Sequence, residues 1–281
     1  MKQTTHAGLL SGKVALISGT GGGQGRAAAL VFAREGARVV GCDIKTEGAA
    51  ETEAMVRDAG GDMRSLHPCD LTDPEAANRW VAAACEAYGG VDILYNNAGS
   101  VRSRGAFGQT TLQGWNDTLL YELTIVYICT KAIWPHFVGR RAGVILNVGS
   151  IVAHRETFPS RSTAHSAAKA GVLGLTRSLA AEGAPFGIRA LSLSPGLIRS
   201  PTTEHYWGKD PRELAKRDAF FAKIPAGRAG TCEEVAEVAA FFASSRASYV
   251  SGADVLVDGG LNATSYGDYD ALPQAMDAKV V

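Results

Sequence analysis

The sequence has no block of basic residues. Its 28 lysines and arginines are balanced by 28 aspartates and glutamates, so its charge does not select for nucleic acid or an anionic membrane surface. No apolar run approaches the length of a bilayer span, and Met1 to Gly12 carries neither an apolar segment nor a cleavage pattern; the expectation is a soluble protein without a leader. Cysteine is sparse. Cys42, Cys69, Cys85, Cys129 and Cys232 are scattered, with no CxxC pair, which reads as reduced core thiols in a cytoplasmic protein. Histidine, cysteine and acid never fall at metal-ligand spacing, so no metal is expected. There is no repeat, low-complexity tract or linker. With 281 residues, one domain spanning 1–281 is expected.

What is present is organised around Val14 to Arg26. An apolar run, Val14 to Ile17, ends in Ser18-Gly19-Thr20-Gly21-Gly22-Gly23-Gln24-Gly25, and a helical pattern starts at once. Strand, tight glycine turn and helix in that order form a site where backbone N–H groups and a helix N-terminus can receive a pyrophosphate. A second apolar run ends at Asp43, at the distance where a carboxylate can take the hydroxyls of an adenosine ribose.

The rest of the chain repeats the alternation. Strands are expected at Arg64–Pro68, Val91–Tyr95, Gly143–Val148, Ile188–Leu193 and Asp254–Val257. Helices are expected at Glu47–Ala59, Asp73–Tyr88, Leu112–Phe137, Thr163–Glu182 and Cys232–Ala243. Nearly all-apolar strands alternating with helices imply an α/β fold: a Rossmann-type, doubly wound parallel sheet of seven strands covered on both faces. Ligands bind such sheets at the carboxyl ends of the strands, where the unusual clusters fall: Gly19–Gly25, Asp43, Asp70, Asn96–Gly99, Ser150 and Pro195-Gly196. The least regular segment, about 198–230, reads as a lid, and about 261–281 as a tail that either packs on a partner subunit or frays. The lid's Tyr206-Trp207 and Phe220-Phe221 form a substrate wall or pack the lid down. His154 and His205 either touch substrate or lie on the surface.

Together these motifs resemble the short-chain dehydrogenase/reductase family. The matches are Ser18-Gly19-x-x-x-Gly23-x-Gly25, Asp70-Leu71, Asn96-Asn97-Ala98-Gly99, Asn147-Val148-x-Ser150, Lys169, Pro195-Gly196 with Ile198, and Asp258-Gly259-Gly260. The resemblance implies a nicotinamide cofactor. It places Gly19, Gly22, Gly23, Gln24 and Gly25 on the pyrophosphate, Asp43 and Ile44 at the adenosine, and Asp70 and Leu71 by the adenine. Asn97, Ala98, Gly99, Lys169, Pro195 and Gly196 would line the cofactor, with Ile198 and Thr202 at the nicotinamide amide. Asp43 repels a 2′-phosphate and is followed by Ile44 and Lys45 rather than an arginine, so NAD is expected over NADP.

The catalytic end departs from the family pattern. The family's tyrosine, four residues before the lysine, is His165 here. The asparagine it places seven residues after a tryptophan is Glu122, counting from Trp115. Ser150 is kept, fifteen residues before His165 and about two more than usual. His165 and Lys169 share a helix face at i and i+4, and an imidazole can exchange protons in place of a phenol. A catalytic set of Ser150, His165 and Lys169 with Glu122 orienting the ring is chemically sensible. Alternatively His165 fills the tyrosine's space or is an introduced change. The expected activity is NAD-dependent interconversion of a secondary alcohol and a ketone on a small organic substrate. The competing readings are non-redox lyase or epimerase chemistry with bound NAD, and NAD binding without catalysis. A homotetramer or homodimer is expected from the resemblance and from an apolar stripe on the helix after His165 (Ala168, Gly171, Val172, Leu175, Leu179).

Overall fold

The computed structural model describes residues 8–155, 162–201, 203 and 210–264. Strands β1 (Val14–Ser18), β2 (Arg38–Cys42), β3 (Asp62–Leu66), β4 (Ile93–Asn96), β5 (Gly143–Val148), β6 (Ile188–Pro195) and β9 (Asp254–Val257) form one parallel sheet in the order β3-β2-β1-β4-β5-β6-β9. The order reverses between β1 and β4, so the ends of those strands open the crevice in which doubly wound sheets bind ligands. Helices α1 (Gly23–Arg34), α2 (Thr46–Asp58), α3 (Pro74–Tyr88), α4 (Leu112–Leu119), α5 (Ile125–Arg140), α6 (Thr163–Gly183) and α8 (Cys232–Ala243) cover the two faces.

Each face has its own apolar core. Phe32, Val39, Tyr95, Leu191 and Val235 lie in the cluster beneath α1 and α8. Trp80, Leu94, Ile133, Phe137 and Val172 lie in the cluster beneath α3, α5 and α6. Trp80 is fully buried, and its indole N–H donates to the Val40 carbonyl at 3.3 Å, which satisfies its polar atom inside the core. The helix starts follow local chemistry. The Asp73 side chain accepts from the Glu75 N–H at 2.9 Å with Pro74 in the first turn, and Thr231 with Glu234 forms a reciprocal cap on α8.

Several boundaries differ from the sequence reading, three of them for a visible reason. β3 ends at Leu66: Pro68 has no N–H to extend a ladder, and the Cys69 N–H goes to the Asp43 carbonyl at 2.9 Å. β4 starts at Ile93, because the Val91 N–H is taken by the His136 ring at 2.9 Å. The expected helix over Leu112–Phe137 is interrupted by one π-helical turn, Leu120–Thr124, and runs on to Arg140. A π turn changes where side chains point within a helix, and its position here, around Glu122, is the usual functional setting for one.

The segment 198–230 is not wholly irregular. Its two ends meet in a short parallel bridge, β7 (Ile198–Arg199) against β8 (Gly230–Thr231), and it contains α7 (Pro211–Phe221). Phe220 and Phe221 pack on the cluster of Ile151, Ile224 and Leu261, so they hold this segment down. The α6 stripe also changes meaning. Ala168 and Val172 are fully buried, Leu175 and Leu179 pack on the same core, and Gly171 lies against Leu123. The stripe thus packs largely into the protomer's own core, with Gly171, Leu175 and Leu179 still partly exposed.

Candidate active site

The glycine turn lies between two strand ends. Gly19 has a φ of 75°, which suits glycine, and a Cβ on Gly25 would collide with the Gly19 carbonyl. α1 begins without any side-chain cap, and there is open space beside Gly22. Its first N–H groups are therefore left for an anion. Asp43 faces the same turn: one carboxylate oxygen accepts from the Gly21 N–H at 2.7 Å, the other from the Lys45 N–H at 2.8 Å. Arg26, in the first turn of α1, is tied away from Asp43 by Thr52 at 2.9 Å, Glu51 at 2.5 Å and the Gly48 carbonyl. The Ser18 hydroxyl accepts from the N–H groups of Asn97 and Ala98, both at 3.0 Å, and the Asn97 amide donates to the Ser18 carbonyl at 2.9 Å. Ser18 thus fastens the β4 end to the glycine turn, a role that only its place in the motif hinted at.

Further along the adenosine side, Ile44 is exposed, Leu71 is buried, and Asp70 holds the Thr72 hydroxyl at 2.8 Å. Gly196 is held by the Val257 carbonyl at 3.0 Å just beyond Pro195, and Ile198 is buried in β7. Thr202, His205, Tyr206 and Trp207 lie outside the described residues.

The groups expected to do the chemistry come together at the ends of β4 and β5. Glu122 is buried, although it is an acid, and His165 accounts for that. Its Oε2 lies 2.5 Å from His165 Nδ1, and the His165 side chain keeps 20% of its surface exposed. A carboxylate on Nδ1 favours the ring proton there and leaves Nε2 to meet another partner. Lys169 is buried one turn further along α6 and donates to the Val148 carbonyl at 2.9 Å. Burial lowers its pKa from the usual lysine value, and the Glu122 charge opposes that shift. Gly99 leaves space between these groups: the position of a Cβ there would be 3.7 Å from Lys169 Nζ and 3.8 Å from Glu122 Oε1.

Ser150 sits at the end of β5, and its hydroxyl accepts from the Val152 N–H at 3.3 Å, which starts the short turn Ile151–Ala153. Its hydrogen bond is thus to the backbone of its own turn. His154, at the end of that turn, pairs with Asp254 at 2.6 Å, and Asp254 also accepts from Ser194 at 2.9 Å. Below the site a buried polar chain joins β4, β5, α5 and α6. Asn96 donates to Asn147 at 2.8 Å and to Thr130 at 3.1 Å, and Asn147 donates to Thr176 at 2.9 Å. Side-chain contacts of this kind hold elements in one register, although the Asn96 amide oxygen itself is buried without a partner.

Known proteins share this fold. A family model described as enoyl-(acyl carrier protein) reductase matches residues 19–262. The chain belongs to the short-chain dehydrogenase/reductase family. A 2,5-dichloro-2,5-cyclohexadiene-1,4-diol dehydrogenase of Sphingobium indicum is 36% identical over 255 residues, covering 90% of this chain and 98% of that protein. A 3-oxoacyl-[acyl-carrier-protein] reductase of Thermotoga maritima is 36% identical over 254 residues, covering 90% and 98%. A solved short-chain dehydrogenase/reductase of Burkholderia xenovorans superposes with a TM-score of 0.84 at 35% identity, covering 92% of this chain and all of that one. As a member of this family the protein is an oxidoreductase that uses a nicotinamide cofactor. The uncapped α1 N-terminus, the open space at Gly22 and the Asp43 carboxylate fit such a dinucleotide. No helix among the described residues is long and apolar enough to cross a membrane.

Proposed function

We propose that this protein is an NAD-dependent dehydrogenase/reductase that interconverts a secondary alcohol and a ketone on a small organic substrate, with His165 in the proton-transferring role. The observation that carries this reading is the Glu122–His165 pair at 2.5 Å. A buried carboxylate bound to one ring nitrogen orients the other, the arrangement by which acids support a catalytic imidazole. A histidine that only filled space would not require a buried acid beside it.

Gly19, Gly22, Gly23, Gln24 and Gly25 would hold the pyrophosphate, and Asp43 with Ile44 the adenosine ribose. Asp70 and Leu71 would border the adenine. Asn97, Ala98, Gly99, Pro195 and Gly196 would line the nicotinamide side, with Ile198 and Thr202 at its amide. Lys169, fixed by the Val148 carbonyl, would use its remaining N–H groups on the nicotinamide ribose. The bound nicotinamide supplies the hydride acceptor or donor. In oxidation, His165 Nε2 accepts the alcohol proton while Ser150 holds the substrate oxygen. In reduction, the protonated ring returns it. Glu122 keeps the ring in place and balances its charge in the protonated form.

The preference for NAD rests on the Asp43 carboxylate, which takes ribose hydroxyls and repels a 2′-phosphate, and on Arg26 being engaged elsewhere. The segment 198–230, closed at its base by β7 and β8, serves as the lid over the substrate. A cytoplasmic location and a homotetramer or homodimer complete the proposal; the assembly rests on family resemblance. The test is to assay secondary alcohols and ketones with NAD and NADH, following reduced-nicotinamide absorbance, for the native protein and for His165→Ala. Cofactor-dependent turnover that is lost in the variant while NAD still binds supports the proposal. Turnover without any absorbance change would identify non-redox chemistry instead.

A further inference from the structure

The turn that carries Ser150 is pinned at its far end by a pair that the proposed reaction does not use. Ser150 begins the short turn Ile151–Ala153, and His154 ends it. Within the turn the Val152 N–H donates to the Ser150 hydroxyl at 3.3 Å, the Ala153 N–H to the Ser150 carbonyl at 3.0 Å, and the His154 N–H to the Ile151 carbonyl at 3.0 Å. A single turn fixes several dihedral angles for few hydrogen bonds. Its position must therefore come from contacts with the rest of the fold.

Two such contacts flank it. Ile151 is buried with Ile224 and Leu261. At the other end the His154 ring reaches Asp254, the first residue of β9, with Nε2 2.6 Å from Oδ2. Asp254 is itself held: its Oδ1 accepts at 2.9 Å from the hydroxyl of Ser194, which is fully buried in β6. Gly149, just before Ser150, lets the chain lie this close, because a Cβ there would stand 2.5 Å from Ser194 Oγ. The His154 and Asp254 side chains keep 29% and 14% of their surface exposed, so water screens this contact less than it screens an open surface pair. Arg155, next in the chain, donates to the carbonyls of Leu261 and Thr264.

We propose that His154 and Asp254 are positioning residues for Ser150. Their hydrogen bond holds the turn against β6 and β9, and the turn aims the Ser150 hydroxyl at the substrate oxygen. The action on substrate rests on the role given to Ser150 under Proposed function; the anchoring of the turn does not. The Ser150 oxygen accepts from the Val152 N–H, which leaves its O–H proton to be donated, and the place of Val152 sets the direction in which that proton points. A carboxylate partner favours the His154 ring proton on Nε2, where it bonds Asp254. Without this bond the turn is held at one end only. A misplacement of about 1 Å near a reacting centre can cost up to about 10²-fold in rate.

The experiment compares the native protein with His154→Ala, His154→Gln, Ser150→Ala and the double variant His154→Ala/Ser150→Ala. Hydrogen–deuterium exchange is followed in the peptide covering 150–155, and kcat and KM are measured for a secondary alcohol with NAD. Glutamine keeps an N–H that can donate to Asp254; alanine has none. The expected result is faster exchange at 150–155 in His154→Ala and near-native exchange in His154→Gln. In His154→Ala kcat falls about tenfold with KM within about twofold, and His154→Gln recovers most of the loss. In the Ser150→Ala background His154→Ala lowers kcat no further, as expected of two residues that act as a unit. Unchanged exchange in His154→Ala overturns the anchor. An equal fall in kcat with and without the Ser150 hydroxyl overturns the action through Ser150, since a general loss of structure would show in both backgrounds. If the native protein turns over no alcohol or ketone, or if Ser150→Ala is as active as the native protein, the role of Ser150 under Proposed function fails instead, and exchange alone decides the anchoring.

Discussion

The half of the crevice built from β1, β2 and β4 satisfies its polar groups differently from the half built from β5, the π turn and α6. In the first, side chains serve the backbone: Ser18 takes the N–H groups of Asn97 and Ala98, and Asp43 takes those of Gly21 and Lys45. In the second, side chains also serve one another across elements: Glu122 with His165, and Asn147 both with Thr176 and with Asn96 of β4. Backbone-directed contacts depend on turn geometry and on small residues at fixed offsets, so they appear in the sequence as motifs. Pairs between separate elements can be exchanged together without disturbing any local pattern. Under the proposed function the familiar half would hold the cofactor and the altered half would decide what is done with it.

Removing the imidazole is the strongest way to break the comparison. His165→Ala should lower turnover by about 10² to 10⁴, the usual contribution of general acid–base catalysis, while NAD affinity in titration stays within about twofold because no cofactor assignment involves that ring. Oxidation needs the neutral ring and reduction the protonated one, so the native enzyme's oxidation rate should rise with pH and its reduction rate should fall. The variant should lose both limbs. Unchanged rate and unchanged pH profile would sink the imidazole mechanism and leave the space-filling reading of position 165.

Glu122→Gln tests whether the acid acts through the ring. A group that orients a functional histidine is worth about 10- to 100-fold on mutation, so kcat should drop by that amount with little change in KM. The expected signature is a displaced pH limb in the variant. A purely structural role for Glu122 would lower thermal stability and leave the limb where it was.

Asp43→Ala addresses the other half. The native protein should bind NAD at least about tenfold tighter than NADP, and the variant should narrow that gap. A native preference for NADP by titration would remove the ribose assignment of Asp43.

How far each half was legible follows from the same contrast. The seven strands and the glycine turn were readable because local composition dictates them. The π turn was not, since 112–137 has an uninterrupted helical pattern and only tertiary contacts reveal the change of pitch. Glu122 was suspected from its place after Trp115; that it meets His165 depends on how the π turn carries it toward α6. His154 gave no local sign of its partner, because Asp254 lies 100 residues away. Ser150 was expected in the catalytic pocket; that its hydroxyl oxygen also accepts from the Val152 N–H of the turn it begins was not legible, and this contact leaves its O–H proton to be donated.

The smallest expected effect sharpens the comparison by leaving the catalytic half alone. α8 covers the face opposite α3 and α5, and its start depends on Thr231 and Glu234. Thr231→Ala removes the acceptor for the Glu234 N–H and should cost about 1 kcal/mol of stability, the usual value of an N-cap, with kcat and NAD affinity unchanged. Glu234 adds a pH dependence. Hydrogen bonds from Arg228 and from the Thr231 N–H hold its carboxyl down to about 2. Its pKa is lower folded than unfolded, so the unfolded chain binds the proton first as pH falls. The stabilisation is therefore complete above the unfolded carboxylate range and is lost as pH falls from about 5 towards 2. The pair is largely exposed, so the effect is small and weakens with salt. Denaturant melts of native protein and Glu234→Gln at pH 7 should differ slightly, and the difference should shrink toward pH 3. A gap that persists unchanged at pH 3 would mean that Glu234 acts through packing and not through its charge.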